Sequence, residues 1–336
     1  MLCSCADRVV EKLPVTTNSE DALKHYQKAR DYYLTTDYPE GWSSLDSALM
    51  VDSNFAMASL IRWHPDPSIR TKNRKKAYSL INTVSNAEKY ILKANKSENE
   101  GNLDSALFYI KKLVEEYPNS YESYNELGVI YGSRNELKLA EQAFKKSLEI
   151  YPDNYMAYTY LFGQHVMYGF YDLLPTEERD VNIGIKYAEK LIELKPNSAH
   201  GFHAKANCYR QLGEFEKAIP LYDKSVELSK GTTAEASENY VSAHNIMFAG
   251  DFEKARQRYK QALKVVKDPQ TETSIKTFIT ISYLFQRNFE GALDNLYSME
   301  EALKKMSSTL TFFEKELSSL RTSRASPSML ENLTVE

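Results

Sequence analysis

The chain has 336 residues, a formal net charge of −4, 26% charged and 42% hydrophobic residues, which argues for a globular protein and against a general nucleic-acid-binding surface. Twelve Gly and 11 Pro against 24 Tyr favour packed helices over a loop-rich β protein. Three cysteines cannot build a disulfide framework, and no run of about 18 apolar residues has the pattern of a membrane-spanning helix.

The chain opens with Leu2-Cys3-Ser4-Cys5-Ala6, followed by a polar stretch to Asp21. The pentapeptide resembles the end of a bacterial lipoprotein signal, in which Cys5 would be the acylated residue. A basic start and an apolar stretch normally precede that box and are missing from this sequence. Two readings stay open: the start is internal to a longer frame, or the match is accidental. The first implies a lipid anchor at Cys5, a tether over residues 1–21 and a cell-envelope, periplasm-facing location. The second implies a cytoplasmic protein.

From Ala22 onward one size pattern recurs. Ala22 to Phe55 supplies Ala29, Tyr32, Gly41, Leu45 and Ala48. Ala87 to Ser120 supplies Tyr90, Ala94, Ala106, Ile110, Leu113 and Pro118 at matching offsets. Tyr121 to Asn154 is the fullest unit, with Tyr124, Leu127, Gly128, Tyr131, Ala140, Phe144, Ser147 and Pro152 at positions 4, 7, 8, 11, 20, 24, 27 and 32. Ala199 to Thr232 has Phe202, Ala206, Tyr209, Ala218, Tyr222 and Ser225. Ala236 to Pro269 has Ala243, Ala255, Tyr259 and Ala262, and Thr273 to Met306 has Tyr283, Ala292, Leu296 and Met299. At each of these positions the pattern resembles the tetratricopeptide repeat, with Tyr124 in place of the usual Trp and Ser147 in place of Ala.

The resemblance implies an all-α fold over residues 22–306: a right-handed superhelical solenoid of about eight antiparallel helix pairs. Small residues at positions 8 and 20 let the two helices of a pair approach, and aromatics at 11 and 24 fill the space between pairs. Gly101-Asn102, Gly213-Glu214 and Gly250-Asp251 mark turns within pairs. Pro118, Pro152 and Pro196 follow second helices, which a proline cannot continue.

Two units depart from the pattern. In Ala56 to Asn86, the run Trp63-His64-Pro65-Asp66-Pro67 cuts the first helix short, and the second is expected from about Ile69 to Val84 with Ala77 inward. Tyr155 to Ser198 is about ten residues too long. Its surplus, Met167 to Asn182, falls between the helices, either on the binding face or as a tolerated surface loop.

Chemistry is sparse. No glycine-rich phosphate loop and no Cys-x-x-Cys pair occur, and Cys208 reads as a small buried hydrophobe. No cofactor and no catalytic residue is expected. The histidines cluster instead: His200, His203 and Asn207 sit at positions 2, 5 and 9 of one unit, with Arg210 at 12, and His244 at 9 of the next. The resemblance places those positions on a concave groove, with Tyr160, Tyr240, Met247 and Phe248 facing them. These residues predict a groove for a protein or extended peptide, with stacking and hydrogen-bonding groups. His200 and His203 are three apart with no acid expected beside them, which argues against a metal site. The Lys and Asn pattern of a carboxylate clamp is missing, so capture of a carboxyl-terminal peptide is not expected.

Residues 307–336 change character. Glu314 to Glu336, EKELSSLRTSRASPSMLENLTVE, resembles the amino-terminal helix of ribosome recycling factor through Arg321, Thr322, Arg324, Ala325 and Pro327, with Ser323 where that family has glycine. The resemblance implies contact of Arg321 and Arg324 with ribosomal RNA. One helix cannot bury its stripe of Phe312, Phe313, Leu317 and Leu320 alone. A fused or mis-joined frame, a helix capping the solenoid and a ribosome-targeting tail all fit. The sequence therefore predicts a non-enzymatic interaction scaffold, with a ribosome-associated factor as the alternative.

Overall fold

The computed structural model describes residues 10–34, 38–60, 66–166 and 174–299. Cys5, Arg321, Arg324, Trp63 to Pro65 and the Met167 end of the insertion lie outside them. The described residues form helices joined by tight turns: α1 (Glu20–Leu34), α2 (Tyr38–Val51), α3 (Ala56–Ser59), α4 (Pro67–Ser79), α5 (Asn86–Asn99), α6 (Leu103–Glu116), α7 (Tyr121–Ser133), α8 (Leu137–Ile150), α9 (Tyr155–His165), α10 (Val181–Leu194), α11 (Ala199–Gln211), α12 (Phe215–Ser229), α13 (Glu235–Phe248), α14 (Phe252–Val265) and α15 (Pro269–Phe285), with a single 3-10 turn at Thr176–Glu178. A further helix begins at Phe289. Each odd-numbered helix packs on the next, and each pair on its successor, which makes an all-helical solenoid.

The turns within pairs share one geometry. Gly101, Gly213 and Gly250 adopt positive φ. In each case the glycine N–H and the N–H of the next residue reach back into the preceding helix: Gly101 to Glu98 at 3.0 Å and Asn102 to Ser97 at 2.8 Å. This closes the helix end with the left-handed residue just past it. Asn135 and Arg287 occupy the same place with φ of 59° and 57°, so the turn is built five times. Pro118, Pro152 and Pro196 each stand just past the ends of α6, α8 and α10, as predicted.

The size pattern is the core. Ala29, Ala94, Ala206 and Ala243 at position 8, and Ala106, Ala140, Ala218 and Ala255 at position 20, are all buried. Position 24 is also buried in the inner units, by Leu45, Ile110, Phe144, Tyr222 and Tyr259. Leu296, its equivalent in the last unit, is 47% exposed, and no described helix follows to cover it.

The degenerate unit differs from expectation in its second helix. α4 runs from Pro67 to Ser79, capped by the Asp66 side chain on the Ser68 N–H at 2.7 Å. It stops five residues before Val84, because Leu80, Ile81 and Val84 turn in to pack on the cluster around Ala87 and Ile110. Ala77 is fully buried, as predicted. The insertion sits between α9 and α10, and its described end is tied down: Leu174 is buried, its N–H donates to Gln164 O at 3.0 Å, and its own carbonyl accepts from Arg179 Nε at 2.5 Å.

The stretch read as a tether does not stand clear of the repeats over its described part. Leu13 packs against the cluster around Ile91, and Val15 against the one around Phe55. No described helix is long and apolar enough to cross a membrane.

Candidate interaction groove

α11 begins where Ser198 caps the His200 N–H at 3.3 Å, and it sends His200, His203, Asn207 and Arg210 along one side. These four go to different depths. His200 is buried, with Nδ1 2.8 Å from the Tyr155 hydroxyl of the preceding unit. Burial, with repulsion from His203 behind it, pulls its pKa down to about 4, so the ring is neutral. Asn207 is 2% exposed and its Oδ1 accepts from the Tyr222 hydroxyl at 2.6 Å. It belongs to the core and does not line the groove. Arg210 remains half-buried, its guanidinium 6.0 Å from the Tyr222 ring.

His203 carries the correction to the sequence reading. An acid does stand beside it: Nδ1 is 2.8 Å from Glu238 Oε2 on α13. Ser225 on α12 donates to the same oxygen at 2.5 Å. Burial pushes Glu238 up, but attraction to His203 and the hydrogen bonds from His203 and Ser225 outweigh it, and the carboxyl sits below its ordinary value. Serine, acid and imidazole are thus together, with the carboxylate in the middle. Both Ser225 and His203 bond the one Glu238 oxygen, so the trio braces α11, α12 and α13 against one another, and no imidazole stands on the Ser225 hydroxyl as it does in a Ser-His-Asp triad. No group of three His, Cys, Asp or Glu able to hold a metal occurs among the described residues.

The next two first helices add aromatic surface. His244 Nδ1 donates to the Tyr240 carbonyl at 2.8 Å. Its ring meets Tyr240 edge-to-face at 4.3 Å and Phe278 of α15 at 4.0 Å. Burial takes its pKa down to about 4 as well. Met247, expected on the groove, is 2% exposed and packs under the Tyr259 hydroxyl at 3.9 Å. Phe248 is exposed but sits at the end of α13 against Phe215, beside the turn between α11 and α12. Tyr160 stacks on Phe144 at 4.6 Å. The residues that come together with some exposure are His203, Arg210, Tyr240, His244 and Phe278.

Models of the tetratricopeptide repeat match residues 121–154 and 197–268, the second span holding His200 to His244. The chain carries tetratricopeptide repeats. Two solved structures agree on the fold, and a third stands beside them only as similar. Yeast Tom70 superposes with a TM-score of 0.52 at 15% identity, over 79% of this chain and 54% of that one. The APC/C hetero-tetramer Cut9-Hcn1 gives 0.52 at 12% identity, over 80% and 51%. PilF of Pseudomonas aeruginosa gives 0.48 at 17% identity, over 69% and 97%. No curated protein matches the chain in sequence.

In the frame of the tetratricopeptide repeat, the residues that sequence reading missed are Tyr155, Ser225, Glu238 and Phe278. Glu238 stands 35 residues after His203, about one repeat on. Looking one repeat length beyond each polar candidate on a first helix is the signal that would have found it.

Proposed function

We propose that this tetratricopeptide-repeat chain is a non-enzymatic protein-interaction scaffold. It takes a partner protein or extended peptide across the first helices α11, α13 and α15. The observation behind this reading is the half-buried set His203, Arg210, Tyr240, His244 and Phe278, contributed by three successive repeats inside a rigid core. Aromatic rings on a stiff scaffold give contact area at small entropic cost. Arg210 adds a charged donor beside them.

The test is affinity capture from native lysate by the full chain, read by mass spectrometry, beside a His203→Ala, Tyr240→Ala double variant whose helical signal is unchanged. A partner set retained by the wild type and lost by the variant supports the reading. An identical set from both sinks it. Ribosomes retained through Arg321 and Arg324 would favour the translation-factor alternative.

We further propose Cys5 as a lipid-anchor site, on the strength of the Leu2 to Ala6 pattern. Metabolic labelling of the full reading frame with a fatty acid should fail in a Cys5→Ser variant. Labelling that survives the substitution rejects the anchor.

A further inference from the structure

The groove reading above concerns the second half of the array. The first half holds an occupant of its own. Residues 10–19, which are non-helical, lie against the starts of α5 and α7 in two successive repeats. The Leu13 N–H donates to Glu122 Oε2 at 2.9 Å, and the Thr16 N–H donates to Glu88 Oε2 at 2.9 Å. The Thr16 hydroxyl also binds Glu88, and the Ser85 hydroxyl donates to the Pro14 carbonyl at 3.1 Å.

Glu88 and Glu122 occupy the same position, the second, of adjoining units. Each accepts a backbone N–H, and the two N–H groups are three residues apart. Three extended residues span about 10 Å, and over that length the segment reaches from the start of α7 to the start of α5. One carboxylate from each of these two repeats thus meets one amide, and the two amides are three residues apart. Between those amides, Leu13 and Val15 fill apolar clusters. Recognition through main-chain amides and alternate side chains is how extended peptides are read.

Two further observations bear on the carboxylates, of which Glu88 also closes the capping box of α5 with Ser85. Glu88 is 1% exposed, yet its Oε1 has no hydrogen-bond partner, so the carboxylate keeps acceptor capacity beyond what residues 10–19 use. Arg30 of α1 supplies the cation for the other oxygen of Glu122 at 2.7 Å, so a ligand need bring no charge there.

We propose that Glu88 and Glu122 form a peptide-reading register held in cis by residues 10–19. An extended segment of a partner protein, with an apolar residue followed three places later by Thr, takes that register when the cis segment is displaced. The cis occupant enjoys the high effective concentration of a tethered ligand, so the site is closed until a partner outcompetes it. This site uses none of the residues of the α11–α15 face, and the two stand or fall separately.

The test uses the full chain and a labelled synthetic peptide of residues 10–19, VEKLPVTTNS, followed by fluorescence anisotropy. A Leu13→Ala, Thr16→Ala chain should bind the peptide at least tenfold more tightly than wild type. Adding Glu88→Gln to that chain should remove the gain, and a peptide with Thr16→Ala should not bind. Equal binding by wild type and loosened chain overturns the proposal, as does self-association of the loosened chain without peptide binding. Should the loosened chain lose its helical signal, hydrogen exchange of the wild type decides: saturating peptide should accelerate exchange at Leu13 and Thr16, and unchanged exchange overturns the register.

Discussion

Gly128 on α7 faces the ring of Phe144 on α8: a Cβ added to the glycine would stand 2.6 Å from one ring carbon and 2.8 Å from two others. The ring is held in place by stacking on Tyr160 at 4.6 Å with only 15° between the planes. The small residue at position 8 and the aromatic at position 24 are one packing device seen from two sides. We expect Gly128→Ala to destabilise the chain by about 1–3 kcal/mol through overpacking. In Gly128→Ala, Phe144→Leu the loss should be smaller than the sum of the single losses, because the shorter side chain frees the space. Chemical denaturation followed by helical signal measures both. Simple additivity would show that the pair is not coupled.

That relationship explains what was legible in the sequence. The spacing of Gly128, Ala140 and Phe144 follows from how two helices and their neighbour fill space, so it shows in the residue types alone. The groove was legible only as a helix face. Position 9 predicts the side on which Asn207 lies, yet its depth is set by Tyr222, whose hydroxyl reaches across the pair and draws the amide into the core. Met247 is likewise taken by Tyr259. The acid beside His203 was hidden because it lies a repeat away in sequence. The leading segment was unreadable for another reason: an extended run held through its main chain leaves no periodic trace in its side chains.

The serine at position 27 yields a prediction that runs against its family. Ser147 donates to Asn125 Oδ1 at 2.8 Å and accepts from Asn154 Nδ2 at 2.6 Å, all three being buried. Asn154 also caps α9, since its Oδ1 receives the Ala157 N–H at 3.4 Å. Restoring the usual alanine with Ser147→Ala strips a partner from each asparagine. It should therefore cost about 1 kcal/mol or more rather than stabilise. A raised melting temperature in this variant would refute the role assigned to the network.

Arg287 occupies the left-handed place in the turn between α15 and the helix beginning at Phe289, where three other turns use glycine. Its side chain is exposed, so little compensates for the crowding of its Cβ against the backbone. The hydrogen bonds of the turn come from the main chain, Arg287 N–H to Leu284 O and Asn288 N–H to Tyr283 O, both 2.9 Å, and survive replacement. Arg287→Gly should stabilise this end of the array by up to about 1 kcal/mol, the relief of strain being partly offset by the freer unfolded chain. Amide protection in α15 is the local measure, and it should rise. Lower protection would mean that the arginine side chain contributes more than its exposure suggests.

The buried imidazoles make the array sensitive to acid. His200 and His244 are held down to about 4 from an ordinary 6.5, and burial lowers His165 as well. Between those values the unfolded chain binds protons that the folded chain refuses, so stability falls as pH falls through that window. For one histidine the change from pH 7 to pH 5 is about 2 kcal/mol, given about 1.4 kcal/mol for each pH unit of separation. Glu238 acts in the same direction lower down: its depressed value gives stability that is present at neutral pH and is lost toward its folded pKa. We expect the melting temperature to drop steeply from pH 7 to pH 5. His200→Gln can keep a polar contact to the Tyr155 hydroxyl without titrating, and it should flatten that slope even if it lowers stability at pH 7. A slope unchanged by His200→Gln, with His244→Gln also without effect, would move the acid sensitivity to groups outside this cluster.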